Sequence, residues 1–144
     1  MRDKDRTITE LKLQEYMVEN WKKIFPRLKL IEKNPAINGF VNKKLFGHAD
    51  FLFQRGRKQL YLAELKYSDI DATDLWNSFK ILGYCQMKQL ATGKIYHPVI
   101  IIKKRIISVD IKAVLSALKI SYITIERTME GYFFEYDFYR KTNA

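Results

Sequence analysis

Two Glu-x-Lys triplets stand in this chain, Glu10-Leu11-Lys12 and Glu64-Leu65-Lys66. Among 26 Lys and Arg a lone triplet says little, so context must separate them. The first lies at a helix start. The second ends a segment, Gln59 to Tyr67, that is apolar on both faces, where charged groups destabilise unless they are used. Strand periodicity puts Glu64 and Lys66 on one face and sends Leu65 to the other. Asp50 lies on the preceding strand, and a hairpin turning about Gly56 to Lys58 brings it opposite, or nearly opposite, Glu64, with Cβ atoms about 5 Å apart. Two carboxylates that close repel, and a divalent cation between them removes the repulsion while leaving positions for water and phosphate. Oxygen-only ligation suits Mg²⁺ or Mn²⁺ rather than zinc, which favours imidazole or thiolate. Such a cation polarises a phosphate and acidifies its bound water. Lys66 would hold the attacking water or offset charge growing on the phosphate. The chemistry is hydrolysis without a protein nucleophile.

The elements that must position these groups follow in order. Leu13, Met17, Trp21 and Ile24 form an apolar helical stripe over residues 9–25, which Pro26 helps to end. Leu28 to Glu32 reads as a short strand, Asn34-Pro35 and Asn38-Gly39 as turns, and Leu45 to Gln54 as one strand. Gln59 to Tyr67, with Leu60 and Leu62 on one face and Tyr61, Ala63 and Leu65 on the other, is a central strand. Asp69 or Asp71 can cap a helix of roughly Ala72 to Leu90 with Leu75, Phe79, Leu82 and Leu90 on its buried side, broken by Gly93. Pro98 to Lys103 is a buried strand, Asp110 to Leu118 a short helix, and Ser121 to Glu126 and Tyr132 to Phe138 are closing strands. Helices between buried strands predict an α/β fold, a mixed central sheet flanked by helices.

With 144 residues, no repeat and no linker, residues 1–144 read as a single domain able to bury a core. The formal charge of +10 attracts polyanions, nucleic acid foremost, without naming a chemistry. Cys85 is the sole cysteine, which disfavours a disulfide scaffold and a zinc finger and predicts a reducing, cytoplasmic setting. Val99 to Ile102 is too short to cross a bilayer, and Met1 to Thr9 lacks the apolar stretch of a signal peptide.

Gly47-His48-Ala49-Asp50, followed fourteen residues on by Glu64-Leu65-Lys66, resembles the signature of the PD-(D/E)XK, or restriction-endonuclease-like, nucleases. Glu10-Leu11-Lys12-Leu13-Gln14 with Asn20 is similar to the first helix of the catalytic domain of archaeal NucS-type endonucleases. The resemblance covers roughly residues 7–90 and implies a core of αβββαβ order. It implies that Asp50, Glu64, the Leu65 backbone carbonyl and, through water, Glu10 hold the metal. That family often places Gln-x-x-x-Tyr on the helix after its lysine. Here Lys80-Ile81-Leu82-Gly83-Tyr84 is nearest, with Lys80 in the glutamine's place, Tyr84 matching the tyrosine, and Gln86, on the buried stripe, the other candidate for the glutamine. NucS-type proteins carry a separate DNA-binding domain for which this chain has no room, so their mismatch role does not transfer.

Each of these residues has a structural reading too. Thr7-Ile8-Thr9-Glu10 is also a capping box. Asp50 and Glu64 could pair with cations across the sheet, His48 could be a hydrogen-bonding wall residue, and Lys80 and Tyr84 ordinary solvated positions. Lys43, Lys44, Arg55, Arg57 and Lys58, with Lys22-Lys23 and Lys103-Lys104-Arg105, are natural phosphate contacts or solvated loops, and Lys80 joins the nucleic-acid-binding set. The aromatic run Tyr132 to Tyr139 is expected to pack a core or subunit interface rather than stack on bases. The leading function is a Mg²⁺- or Mn²⁺-dependent endonuclease acting on DNA, such as single strands, flaps or junctions, in a protein able to form a homodimer. Its competitors are an RNA-cutting member of the superfamily, a non-catalytic nucleic-acid-binding protein on the same fold, and a small assembly subunit.

Overall fold

A computed structural model of the chain describes residues 3–67 and 72–137, with the side chains of 9–67 and 75–136. Helix α1 (Asp3–Glu19) is separated by Asn20 from a single turn, α2 (Trp21–Ile24). The expected continuous helix breaks there because the Asn20 amide donates to the Tyr16 carbonyl at 2.9 Å, competing for the helical acceptor. Phe25 then takes an extended conformation (φ −125°, ψ 70°), as a residue before proline must, and α2 ends. Since α1 begins at Asp3, Thr7 to Glu10 lie within the helix, and the capping-box reading of Glu10 is overturned.

Six strands form one sheet in the order β1 (Leu28–Lys33), β4 (Phe51–Arg55), β5 (Gln59–Lys66), β6 (Tyr96–Lys103), β7 (Ser121–Thr128), β8 (Gly131–Asp137). The β5/β6 and β6/β7 pairs are parallel and the others antiparallel, so the sheet is mixed, as anticipated. Helices α1 and α2 cover one face, burying Leu13, Met17, Trp21 and Phe25 against Phe51, Ala63, Leu65, Val99 and Ile101. Helices α4 (Lys80–Thr92) and α5 (Val109–Ala117) cover the other, where Ile81, Cys85 and Leu115 meet Leu62, Ile100 and Ile102. At α5 the cap is Ser108, whose hydroxyl accepts from the Ile111 amide. No described helix is long and apolar enough to cross a membrane.

Two expected elements are divided. Leu45 to Gln54 is not one strand: β3 (Leu45–His48) pairs with the three-residue β2 (Ala36–Asn38) in a separate hairpin, and β4 belongs to the main sheet. The chain changes partners at Ala49 and Asp50, whose amides donate to Pro35 and Ala63 while the Asp50 carbonyl accepts from Asn34. The helix after β5 divides into α3 (Ala72–Asn77) and α4, with Ser78 Oγ bonded back to the Leu75 carbonyl between them. Leu75 is buried and Phe79 and Leu82 pack on the core as expected, joined by the fully covered Ile81 and Cys85, while Leu90 is 60% exposed and Gln86 faces solvent, contrary to expectation. Gly93 ends α4 at φ 75°, as its place in the sequence predicts. The proposed caps Asp69 and Asp71 lie outside the described residues. From the aromatic run, Tyr132 and Phe134 pack on the α1-side core, Phe133 and Tyr136 are exposed, and Phe138 and Tyr139 fall outside the described residues.

Candidate active site

Antiparallel pairing of β4 with β5 ends at Phe51 opposite Ala63, and the Asp50 amide still bonds the Ala63 carbonyl at 2.9 Å. One step further along that register, Asp50 faces Glu64. The Asp50 carboxylate then substitutes for the missing strand, accepting the Leu65 N–H at 2.6 Å through Oδ2. Because a strand residue directs its N–H and C=O to the same edge, the Leu65 carbonyl also points past the end of β4. A cavity of about 100 Å³ opens there, lined by Glu10, Leu11, Gln14, Asp50 and Leu65.

Glu64 is 5% exposed, and its Oε2 is buried with no hydrogen-bond partner. An unsatisfied buried carboxylate oxygen is strongly unfavourable, so burial opposes the ionisation of Glu64. Burial first, and then the Asp50 charge, push the Glu64 carboxyl up to about 8, against the pull of Lys80 and Lys66. Burial also raises Asp50, opposed by the Leu65 N–H, Lys66, Glu64 and Lys80. Two carboxyls held up together in this way share one proton, or a cation takes its place. Their oxygens, with the Leu65 carbonyl, are hard donors of the kind that could hold Mg²⁺ or Mn²⁺. Among the described residues no three His, Cys, Asp or Glu side chains gather at ligand distance.

Glu10 reaches the same cavity from α1, and its Oε1 accepts the Tyr67 N–H at 3.2 Å. On the opposite face, Lys66 lies within electrostatic reach of both carboxylates, and Lys80, at the start of α4, approaches Glu64 Oε1 at 3.7 Å. The Lys80 ammonium also lies 5.9 Å from the centre of the Tyr84 ring. Tyr84 rests on Gly47, where a Cβ would collide with its hydroxyl. Lys80 rather than the exposed Gln86 therefore occupies the position facing Glu64. His48 is exposed and bonds the Asn34 carbonyl at 3.1 Å, the wall role.

The expected phosphate contacts are not brought together. Lys43 and Lys44 sit in the β2–β3 loop, whose strand β3 leads into Asp50. Arg55 ends β4, and Arg57 and Lys58 occupy the β4–β5 turn, at the other end of β5 from Lys66, roughly 23 Å away at 3.3 Å per residue. Parallel pairing instead brings Lys103, the last residue of β6, to the Lys66 end, where its ammonium lies 4.7 Å from the centre of the Tyr67 ring. Sequence reasoning misses Gln14 and Asn34. Gln14, one turn beyond Glu10 and 7% exposed, donates to Asn34 Oδ1 at 2.7 Å and to the Asp50 carbonyl at 3.3 Å. Asn34, at φ 50°, donates its amide to that same carbonyl at 2.9 Å. The i, i+4 spacing of two polar residues beside an apolar stripe is the available signal for Gln14.

No protein-family model and no curated protein matches the sequence. Solved structures do share the fold. EndoMS, solved in complex with double-stranded DNA, superposes with a TM-score of 0.56 at 16% identity, over 78% of this chain and 42% of that one. A repair endonuclease from Pyrococcus abyssi gives 0.57 at 15% identity, over 78% and 45%. This chain thus spans less than half the length of either protein. It has the restriction-endonuclease-like fold of the NucS/EndoMS-type endonucleases.

Proposed function

We propose that this chain is a metal-dependent endonuclease that hydrolyses phosphodiester bonds of DNA. The observation that carries the reading is Glu64, buried beside Asp50 with one oxygen unpartnered, at the end of a strand where burial and the neighbouring carboxylate oppose its ionisation. Asp50, Glu64 and the Leu65 carbonyl would hold Mg²⁺ or Mn²⁺, with Glu10 acting through water. When bound, the cation supplies Lewis-acid polarisation of the scissile phosphate and a more acidic water.

The rest belongs to the chain. Asp50 is fixed from three sides, by the Leu65 N–H on its side chain and by the Gln14 and Asn34 donors on its carbonyl, so the donor set is ordered before any ligand arrives. Lys66 supplies positive charge beside the reacting centre, where it would orient the attacking water or stabilise the charge developing on phosphate. Lys80 offsets the Glu64 charge, and Tyr84 holds the start of α4 against Gly47, a positioning role. The net charge of +10 and the DNA complex of the EndoMS neighbour support a nucleic-acid substrate, with DNA favoured.

The test is incubation of the protein with labelled single-stranded, duplex, flap and four-way-junction DNA and with RNA, in Mg²⁺, Mn²⁺ or EDTA, beside Glu64→Ala. Metal-requiring cleavage of DNA that disappears in the variant is expected. Cleavage of RNA alone moves the protein to the ribonucleases, and tight binding without cleavage, equal in both proteins, leaves a binding module on a nuclease scaffold.

A further inference from the structure

The β2–β3 hairpin is attached to the molecule at its root and holds an apolar tip in water. At the root, Ile37 is fully buried beneath α4 and Gly47 lies under Tyr84. Toward the tip, Phe40 is 46%, Val41 87%, Leu45 52% and Phe46 58% exposed. Other exposed apolar residues, such as Ile95, Val109 and Met129, are scattered singly, which is ordinary for a protein surface. Four within seven consecutive residues form a patch that calls for a partner.

The tip has a defined shape. Gly39 N–H donates to the Lys44 carbonyl at 2.7 Å, Lys44 N–H to Asn42 Oδ1 at 2.9 Å, and the Lys43 ammonium to the Phe40 carbonyl at 3.1 Å. Lys43 adopts φ 61° to close this turn, with its ammonium 5.9 Å from the Phe40 ring centre. The same segment carries only positive charge: Lys33, Lys43 and Lys44 lie between Glu32 and Asp50, and no carboxylate does. Phe46 precedes Asp50 by four residues, at most about 13 Å of chain, within roughly two nucleotide steps.

We propose that this hairpin tip packs against unpaired bases of the nucleic acid beside the scissile phosphate, with Phe40, Val41 and Phe46 as the stacking surface and Lys43 and Lys44 on the flanking phosphates. The inference rests on the nuclease reading and assigns to this hairpin the contact with unpaired bases that flaps, forks and single strands would present next to the cut. Aromatic and apolar side chains accept any exposed base face, whereas in a continuous duplex they meet only the sugar-phosphate exterior unless the bases are first unstacked. A purely electrostatic contact would need the lysines alone. A shaped apolar tip among them selects for bases.

The experiment separates binding from cutting by working in EDTA. A single strand carrying 2-aminopurine and a blunt duplex of the same sequence are titrated with wild type, Phe40→Ser/Val41→Ser and Phe46→Ser, and thermal melting checks that each variant is folded. The wild type is expected to prefer the single strand and change its 2-aminopurine fluorescence. Each variant is expected to bind the single strand about tenfold more weakly, the scale of one base–aromatic stack, with duplex affinity unchanged. Equal discrimination by folded variants and wild type overturns the proposal, as does the absence of any single-strand preference. So does a shift from dimer to monomer in the variants that leaves discrimination intact, which would make the tip a contact between copies. Metal-dependent cleavage with unchanged discrimination sinks the hairpin's role alone, while variant-sensitive single-strand binding without cleavage in any metal retains it and sinks the nuclease reading.

Discussion

The two ends of β5 are both crowded with charge, and they use it differently. At the Lys66 end, Asp50, Glu64, Lys66 and Lys80 interleave both signs, with Glu64 held out of water, Asp50 tied to the Leu65 backbone and Lys80 drawn to Glu64. At the other end Arg57 and Lys58 join Lys94 and His97 around an open cleft of about 450 Å³ whose lining has no carboxylate. Burial holds the His97 imidazole below its usual range, so near neutral pH that cleft draws its charge from the lysines and arginine. Opposite charges withdrawn from solvent shift proton affinities and create donors that demand a ligand. Like charges left in water only raise the local concentration of anions, and salt screens them. Net charge therefore points to a partner, while chemistry has to be sought where burial and charge conflict.

Substituting Glu64→Gln tests that contrast with the largest expected effect. The variant keeps the shape of the side chain but cannot be a carboxylate, so cleavage should fall by at least about a hundredfold, as when a principal electrostatic group is removed from an active site. Its stability without metal should hold or rise, because a neutral amide avoids the burden of a buried charge. Measuring turnover and melting temperature together distinguishes this from ordinary damage: loss of both would mean that Glu64 is structural.

Proton linkage gives the next effect. Glu64 has an ordinary value of 4.5 and is raised to about 8, and Asp50 is raised as well, so the folded state binds more protons than the unfolded state between those values. Stability without metal should be complete below about pH 4.5, fall as pH rises, and level off above about 8. On the proposed metal reading, binding would release the shared proton, so Mn²⁺ affinity should strengthen over the same rise. Calorimetric titration of Mn²⁺ at pH 6 and pH 8 in two buffers of different ionisation enthalpy measures both affinity and proton release. A pH-independent affinity with no proton uptake by the buffer would contradict the coupling.

Much of this contrast was legible in the residues alone. Apolar character on both faces of Gln59 to Tyr67 marked a central strand, and Gly56 to Lys58 set the turn that carries Asp50 opposite Glu64. The sheet's helical flanks and mixed pairing also followed from element order. What periodicity could not show was the change of partner at Ala49: Leu45 to Gln54 has strand-like composition throughout, and only the competing Pro35, Asn34 and Ala63 bonds divide it. That division creates the β2–β3 hairpin and places Asp50 at a corner instead of within a strand. The side of the molecule taken by the basic clusters was equally hidden. Arg55, Arg57 and Lys58 are close to Glu64 in sequence but point to the far end, whereas Lys103 is distant in sequence and arrives through parallel pairing.

Glycines at the two ends give a smaller and sharper test. Gly47 leaves no room for a Cβ beneath the Tyr84 hydroxyl, while Gly56, at φ 63°, has open space around it. Gly47→Ala must displace Tyr84 or the hairpin, costing about 1–3 kcal/mol by overpacking and slowing cleavage through Lys80. Gly56→Ala should cost about 1 kcal/mol from its left-handed backbone alone, with turnover unchanged. Chemical denaturation and single-turnover cleavage of both variants measure these effects. Equal loss of activity would mean that the two ends are mechanically coupled.

The smallest effect should come from the cationic cleft. Arg57→Ser/Lys58→Ser removes two of its charges without touching Asp50, Glu64 or their hydrogen bonds. If the cleft only attracts the polymer, affinity should fall by roughly the same factor for every sequence and strand type, and the slope of log affinity against log salt should decrease by about 0.9 for each duplex phosphate that the variant no longer neutralises. The single-turnover rate at saturating substrate should stay at the wild-type value, because no group that meets the reacting phosphate has changed. Titrations at several salt concentrations, paired with that rate, decide the matter. A slower saturated rate would mean that the far end helps to hold the substrate in its reactive position, and the division between a chemical end and an attracting end of β5 would have to be abandoned.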